Sequence, residues 1–139
     1  MKTHEKILEE FGKILTKESF DSSLLKIENL RSIKNPLLDY DPHIKYLQSL
    51  SKEDYEKLLV FVPYILMIQL IGVLSIFQDE ESQYKLIYNT DDSNVDLSLI
   101  SDGLSAEVAT EYGWISQFSK VLADNQRVPP LLAMPNLEA

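Results

Sequence analysis

The feature that most limits how this chain can fold is a run of twenty residues without a charged side chain, Leu58–Phe77. Its length and apolar composition meet the requirements of a membrane-spanning helix, which needs about 20 such residues. The flanks do not favour a span, because lysines and acids are mixed before the run and the acids Asp79-Glu80-Glu81 follow it. Pro63, Gln69 and Gly72 would each also weaken a span that has no neighbouring helix to satisfy them.

The run is better explained as a buried element of a globular domain, divided at Gly72 into a helix and a strand. The helix is expected to follow a capping serine, Ser51, and the strand to occupy 73–78. Two more strands are predicted at 83–89 and 95–100, the latter with alternating apolar and polar residues. Together they would form a three-stranded antiparallel sheet whose apolar face is covered by the central helix.

Helical spacing of apolar residues predicts helices on both sides of this sheet. In chain order the predicted segments are Lys2–Lys17, a helix that follows a turn at Ser19–Ser23 and ends at Asn35-Pro36, a short helix after Asp41-Pro42, and a C-terminal helix over about 105–122. Asp21, Ser22 or Ser23 is expected to cap the second helix. Gly12 and Gly113 are expected on polar, outward faces. The predicted fold class is therefore α+β.

A chain of 139 residues fits one domain, and we predict a single α+β domain over residues 1–123. Residues 124–139 contain Pro129, Pro130 and Pro135, which favour an irregular C-terminal tail. The sequence has no cysteine, which excludes disulfides, thiolate zinc sites and cysteine nucleophiles. The first ten residues lack the apolar stretch of a secretory signal, so the sequence predicts a cytoplasmic protein.

The charge is unevenly distributed along the chain. Residues 1–57 include ten basic and eleven acidic residues, a net charge of −1, whereas residues 58–139 include three basic and eleven acidic ones, a net charge of −8. Such a negative field repels nucleic acid and anionic lipid, and it accelerates encounter with a basic protein. We therefore expect a basic protein as partner rather than nucleic acid or a membrane. The alternative explanation of the negative charge is that it keeps the protein soluble. The sequence is also compatible with a homo-oligomer.

No residue pattern predicts catalysis, a metal site or a bound cofactor. Asp39, Asp41 and His43 lie two residues apart, but turn and capping roles explain them better than a metal site. The other histidine, His4, has no partner nearby in sequence for acid–base chemistry. The four glycines are scattered, which excludes a phosphate-binding loop. The sequence thus predicts a non-enzymatic protein.

Six residues form the predicted partner-binding site. They comprise three acids in a turn and, on the last helix, two acids that precede a tryptophan along one edge: Asp79, Glu80, Glu81, Glu107, Glu111 and Trp114. An aromatic residue beside acids is typical of a binding hot spot, although a tryptophan so placed more often closes the edge of the core. The leading hypothesis is an acidic protein-binding module, in one form an immunity or antitoxin-like neutraliser of a basic effector such as a nuclease.

The alternative hypothesis is a sensor or carrier of a small apolar ligand. Its pocket would lie between the central helix and the sheet, where Tyr64 and Gln69 would supply the polar contacts. Ligand pockets are mostly apolar with a few polar groups, which the run Leu58–Phe77 allows.

Overall fold

Helices make up most of the secondary structure in the computed structural model, which describes residues 2–131. In chain order the elements are α1 (His4–Leu15), a π-helical segment (Thr16–Asp21), α2 (Ser22–Ser32), a 3-10 turn (Pro36–Leu38), α3 (Pro42–Ser49), α4 (Lys52–Gln78), β1 (Ile87–Asn89), β2 (Asn94–Asp96), α5 (Leu97–Ile100), α6 (Ala106–Ala109), α7 (Trp114–Phe118) and α8 (Lys120–Asp124). The structure agrees with the predicted α+β class, although the sheet is small and most of the elements are helices. The core draws on both ends of the chain: Ile7, Phe20, Leu24, Met67, Leu74, Leu97, Leu104, Val108, Ala109, Trp114, Ile115 and Leu122.

The first three elements form one continuous helical segment, so the predicted turn at Ser19–Ser23 is wrong. The backbone stays right-handed helical there, and only the hydrogen-bond spacing widens to the π-helical pattern. The wider turn directs both Phe20 and Asp21 into the interior. Asp21 therefore does not cap α2, on which it makes no side-chain capping bond.

Asp21 instead caps a helix almost a hundred residues further along the chain. Its Oδ1 accepts a hydrogen bond from Ser119 Oγ at 2.6 Å, and its Oδ2 accepts one from the Lys120 backbone N–H at 2.9 Å. Ser119 Oγ in turn accepts from the Leu122 N–H at 3.2 Å. These bonds satisfy the free donors at the start of α8 and supply partners for a buried carboxylate.

The predicted helix starts at Asp41-Pro42 and Ser51 are confirmed. Asp41 Oδ1 accepts hydrogen bonds from the backbone N–H groups of His43 and Ile44, at 2.8 and 3.2 Å, and these two bonds, Ile44 first, lower the pKa of Asp41. Ser51 Oγ accepts from the Asp54 N–H at 3.1 Å and starts α4.

Arg31 joins α2 to the start of α4. Its guanidinium donates to the Leu47 and Leu50 carbonyls, at 2.6 and 3.2 Å, and lies 4.0 Å from the centre of the Tyr55 ring. Burial raises the pKa of Tyr55. The first turn of α4 is thereby fixed against the N-terminal half.

The predicted division of the apolar run at Gly72 is wrong, and with it the strand at 73–78. A single helix, α4, continues from Lys52 to Gln78. One interior glycine costs a helix only about 1 kcal/mol, and Leu74, two residues later, is buried in the core. Packing of Leu74 therefore outweighs the strand preference of the β-branched residues around it.

The sheet has two antiparallel strands among residues 2–131, in place of the three predicted. β1 pairs with β2 in the register Ile87↔Asp96, Tyr88↔Val95 and Asn89↔Asn94. The strand predicted at 83–89 is thus confined to its last three residues. The strand predicted at 95–100 ends at Asp96, because the Asp96 carboxylate accepts from the Ser98 N–H at 3.0 Å and starts α5.

The C-terminal helix predicted over 105–122 is broken into α6, α7 and α8. The first break is a turn at Thr110–Gly113, where the Gly113 N–H donates to the Thr110 carbonyl at 2.9 Å. A Cβ on Gly113 would lie 2.5 Å from the Glu107 carbonyl oxygen, so this turn requires glycine, and the predicted outward position of Gly113 is wrong. The second break is Ser119, whose extended backbone begins α8.

After α8 the chain leaves regular structure. Gln126, with φ 54°, stands in the left-handed conformation that closes many helices. Arg127 then donates to the Leu122 carbonyl through its backbone and to Glu56 Oε2 on α4 through its guanidinium, both at 2.8 Å. The division into a domain and a tail at residue 124 stays a prediction, and residues 132–139 of that tail lie outside the described residues.

Candidate functional site

One face of α4 presents large apolar side chains to solvent. Phe61, Ile65, Ile68 and Ile76 are 57%, 47%, 46% and 52% exposed. At 100° per residue these positions follow one another along a single side of the helix, and we call them the α4 stripe. Exposed Val60 and Val73 flank it. Exposed Gln69, Gly72 and Ser75 lie on the same side and separate Ile76 from the rest, so the apolar surface is continuous over Phe61, Ile65 and Ile68. A continuous apolar surface marks an interaction site more often than isolated exposed residues do.

The opposite face of α4 belongs to the core. Pro63, Met67 and Leu74 are buried, and they alternate along the helix with the members of the α4 stripe. Within residues 2–131, α4 is also the one helix that is long and apolar enough to cross a membrane. Of its most apolar 18-residue stretch, 22% is buried. A membrane span would have to withdraw Met67 and Leu74 from the core.

The predicted acidic turn lies at the C-terminal end of the same helix. Asp79 is the C-terminal capping residue of α4, and Glu80 and Glu81 follow it in an exposed turn. The Asp79 side chain accepts a hydrogen bond from the Glu81 N–H at 2.9 Å, which fixes the turn. Carboxylates are unfavourable here, because the C-terminal end of a helix already carries partial negative charge.

The two other predicted acids, Glu107 and Glu111, are distant from α4 in sequence but lie near its C-terminal half in space. Gln78 Oε1 accepts a hydrogen bond from the Ser105 backbone N–H at 2.8 Å, which joins the end of α4 to the residue preceding α6. Glu107, on α6, is half-buried and accepts from Ser101 Oγ at 3.0 Å. Glu111 is exposed and lines a cleft together with Ile71 of α4. The fold therefore brings acids from two sequence regions to the C-terminal half of α4.

Trp114, the sixth predicted residue, lies in the core and is 4% exposed. Its indole meets the Phe11 ring edge to face, with centroids 5.6 Å apart. A Cβ on Gly12 would lie 2.5 Å from Trp114 Cγ, so the ring occupies the space that a side chain on α1 would fill. Gly12 is buried, and the prediction that it faces solvent is wrong. Of the predicted residues, only the acids lie where a partner can contact them.

The residues predicted for a small apolar ligand are separated in the structure. Tyr64 lines a cleft of about 540 Å³ between α4 and the C-terminal segment Arg127–Pro130, rather than between α4 and the sheet. Gln69 is exposed and is not among the residues that line this cleft. The two residues therefore do not line this cleft together, and their role in ligand binding stays a prediction.

The residues proposed and rejected as metal ligands keep their structural roles. Asp41 caps α3, and its Oδ1 lies 3.3 Å from His43 Nδ1 on the surface. Among residues 2–131, no group of three histidine or acidic side chains is arranged to hold a metal ion.

Sequence reasoning missed the α4 stripe, although its signal is present. Within the run Leu58–Phe77, the polar or small residues Gln69, Gly72 and Ser75 recur every three residues, on the side of the helix that carries the α4 stripe. Such a spacing is typical of the solvent-facing side of a helix.

Comparison with known proteins finds no protein-family model, no curated protein and no solved structure that matches this chain.

Proposed function

We propose that this protein is a non-catalytic module that binds another protein through the α4 stripe and the acids at the end of α4. The observation that carries the proposal is the exposure of Phe61, Ile65, Ile68 and Ile76 on a helix whose other face is in the core. Transfer of these side chains from water into an interface would contribute a favourable free energy of roughly 25 cal/mol for each Å² of apolar surface that the partner buries.

The acids define the chemistry of the partner. Asp79, Glu80 and Glu81 lie at the negative end of the α4 dipole, where their charges repel one another and the helix carbonyls. A basic segment removes that repulsion, whereas an anionic surface increases it. The complementary partner is therefore a segment with an apolar face, such as an amphipathic helix, that carries lysine or arginine at one end.

A neutraliser of a basic effector, of the immunity or antitoxin kind, is one form of this function. The net charge of −8 on residues 58–139 supports it, since a field of one sign accelerates the encounter with a partner of the opposite sign. The same contacts serve any regulator that occupies a basic, amphipathic surface of its target.

The test is affinity capture from the host lysate with three matched baits, followed by reconstitution with the purified prey. The baits are the wild type, Ile65→Ser/Ile68→Ser in the α4 stripe, and Asp79→Asn/Glu80→Gln/Glu81→Gln in the turn. We expect one basic prey whose dissociation constant rises more than about tenfold with the stripe variant. The turn variant should slow association and flatten its salt dependence.

Controls of the same chemistry lie elsewhere on the surface. Leu37→Ser and Leu99→Ser remove apolar side chains that are 85% and 71% exposed, and Asp91→Asn/Asp92→Asn neutralises another acidic turn. A prey that binds all baits equally contradicts the proposal. So does flotation of the wild type with phosphatidylcholine–phosphatidylglycerol vesicles, which assigns the stripe to lipid, or a dimer that the stripe variant dissociates, which assigns it to a second copy.

A further inference from the structure

A separate groove lies where the N-terminal helical segment meets α7 and α8, with a volume of about 910 Å³. Part of its lining is apolar and comes from Leu25 on α2, Phe118 at the end of α7 and Val121 on α8. The two sides of the groove are thus separated by almost a hundred residues in sequence. Its volume lies within the range of small-molecule sites, about 300–1,000 Å³.

The charged part of the lining is basic in an otherwise acidic protein. It consists of four lysines and two acids: Lys13, Lys17, Lys26, Lys120, Glu18 and Asp21. The groove lining therefore carries a formal charge of +2, whereas the whole chain carries −9. Asp21 is buried and accepts hydrogen bonds from the Ser119 hydroxyl and the Lys120 backbone N–H, and within residues 2–131 it forms no ion pair with a lysine side chain.

The lysines are available to a ligand to different degrees. Among residues 2–131, Lys26 and Lys120 form no ion pair, and the Lys17 ammonium lies 4.0 Å from Glu18 in a highly exposed contact. Lys13 pairs with Glu9 at 2.6 Å and also lies 5.4 Å from the centre of the Phe118 ring. The hydrogen bond from Lys13 lowers the pKa of Glu9. Two lysines are thus unpaired, and a third is held against the apolar lining.

The π-helical segment forms part of one side of the groove. Lys17, Glu18 and Asp21 belong to this segment, which runs for six residues between α1 and α2. Segments of this kind are rare and occur frequently at functional sites, where they redirect side chains. Here the segment turns Phe20 into the core while Lys17 stays exposed beside the groove.

We propose that this groove binds a small anionic amphiphile, a carboxylate or phosphate ester attached to an apolar chain or ring. The ammonium groups of Lys26 and Lys120 recognise the anionic head as point charges. Leu25, Phe118 and Val121 then cover the apolar body, in the combination of mostly apolar lining and few polar groups that ligand sites use. The site is independent of the α4 stripe.

The test uses four ligands that share a ten-carbon chain: decanoate, decyl phosphate, decanol and decyltrimethylammonium. Each is titrated below its micelle concentration into ¹⁵N-labelled protein and followed by amide shifts and calorimetry. We expect the two anions to bind, with shifts centred on Leu25, Gln117 and Val121, and the neutral and cationic ligands to bind much more weakly. The stronger of the two anions identifies the head group as carboxylate or phosphate.

A charge-matched pair of variants makes the result specific. Lys26→Gln/Lys120→Gln should weaken binding of the anions by about tenfold, because each exposed ion pair contributes modestly. Lys34→Gln/Lys52→Gln removes the same charge outside the groove and should leave the affinity unchanged. Equal binding of decanol, shifts confined to α4, or equal affinity of both variants would each overturn the proposal.

Discussion

The two long helices α1 and α4 each contain an interior glycine, and the two glycines have opposite surroundings. Gly12 in α1 is buried against the indole of Trp114, which occupies the place of a side chain. Gly72 in α4 is exposed, and a Cβ there would meet no described atom within 4 Å beyond its own helix. The same residue type is thus required for close packing in one helix and makes no contact in the other.

The difference shows that the apolar pattern of a helix fixes its buried face only in part. In α1 the apolar spacing places five residues on the inner face: Ile7, Leu8, Phe11, Ile14 and Leu15. Ile7 is buried and Leu8, Phe11 and Leu15 pack against the core, yet Ile14 is 61% exposed and Gly12, from the other side of the helix, is buried. The docking of Trp114 turns the buried face towards the glycine. In α4 the pattern is weaker, because only Gln69, Gly72 and Ser75 distinguish the exposed side from the side that faces the core.

The largest expected effect separates the two faces of α4. Met67→Ala, at a position that is 0% exposed, should lower the free energy of unfolding by about 2–5 kcal/mol. Ile68→Ala, one residue further and 46% exposed, should lower it by less than about 1 kcal/mol. Urea unfolding followed by Trp114 fluorescence measures both. Equal losses would show that the α4 stripe is covered in solution, and the comparison with α1 would fail.

The next effect compares the two glycines directly. Gly12→Ala should cost about 1–3 kcal/mol, because the new methyl group collides with the Trp114 ring. Gly72→Ala should stabilise the protein by about 0.5–1 kcal/mol, because alanine is the better helix former and nothing opposes it. The same unfolding experiment gives the two values with opposite signs. A stabilising Gly12→Ala would mean that the indole is not seated against α1.

The smallest effect concerns the starts of the two helices. Thr3 Oγ1 accepts from the Lys6 N–H at 3.2 Å, and Ser51 Oγ accepts from the Asp54 N–H at 3.1 Å. Thr3→Ala and Ser51→Ala should therefore each cost about 1 kcal/mol. Similar losses of stability in thermal unfolding would show that α1 and α4 differ in the packing of their side faces and not in the capping of their first turns. A much larger loss for one of the two variants would show that the capping also differs between the helices.

Local chemistry was predictable from the sequence wherever a residue acts on its neighbours. The starts of α3 and α4 followed from Asp41-Pro42 and Ser51, because a capping side chain bonds two or three residues ahead. β1 also lay inside the strand predicted at 83–89, and β2 overlapped the strand predicted at 95–100 at Val95 and Asp96. The fold class α+β rests on these local signals.

Features that depend on distant contacts were not predictable. The C-terminal helix breaks at Gly113, which allows Trp114 to reach Gly12, and at Ser119, which bonds Asp21. The lysine groove likewise combines Lys26 with Lys120, and no pattern of spacing joins residues so far apart. Of the candidate site, the acids Asp79–Glu81 were anticipated, whereas the stripe depended on knowing which side of α4 is covered.

The bond between Asp21 and Ser119 has a consequence for the order of events during synthesis. When Asp21 and Gly12 are synthesised, the hydroxyl and the indole that complete their surroundings are still about a hundred residues from being made. Until then the Asp21 carboxylate lacks its hydrogen-bond partner and the space beside Gly12 is not filled by the indole. The N-terminal segment is therefore expected to reach its stable packing only when the last helices are present. We therefore expect this protein to become resistant to proteases late and in one step, after the segment that ends at Leu122 has left the ribosome, rather than helix by helix.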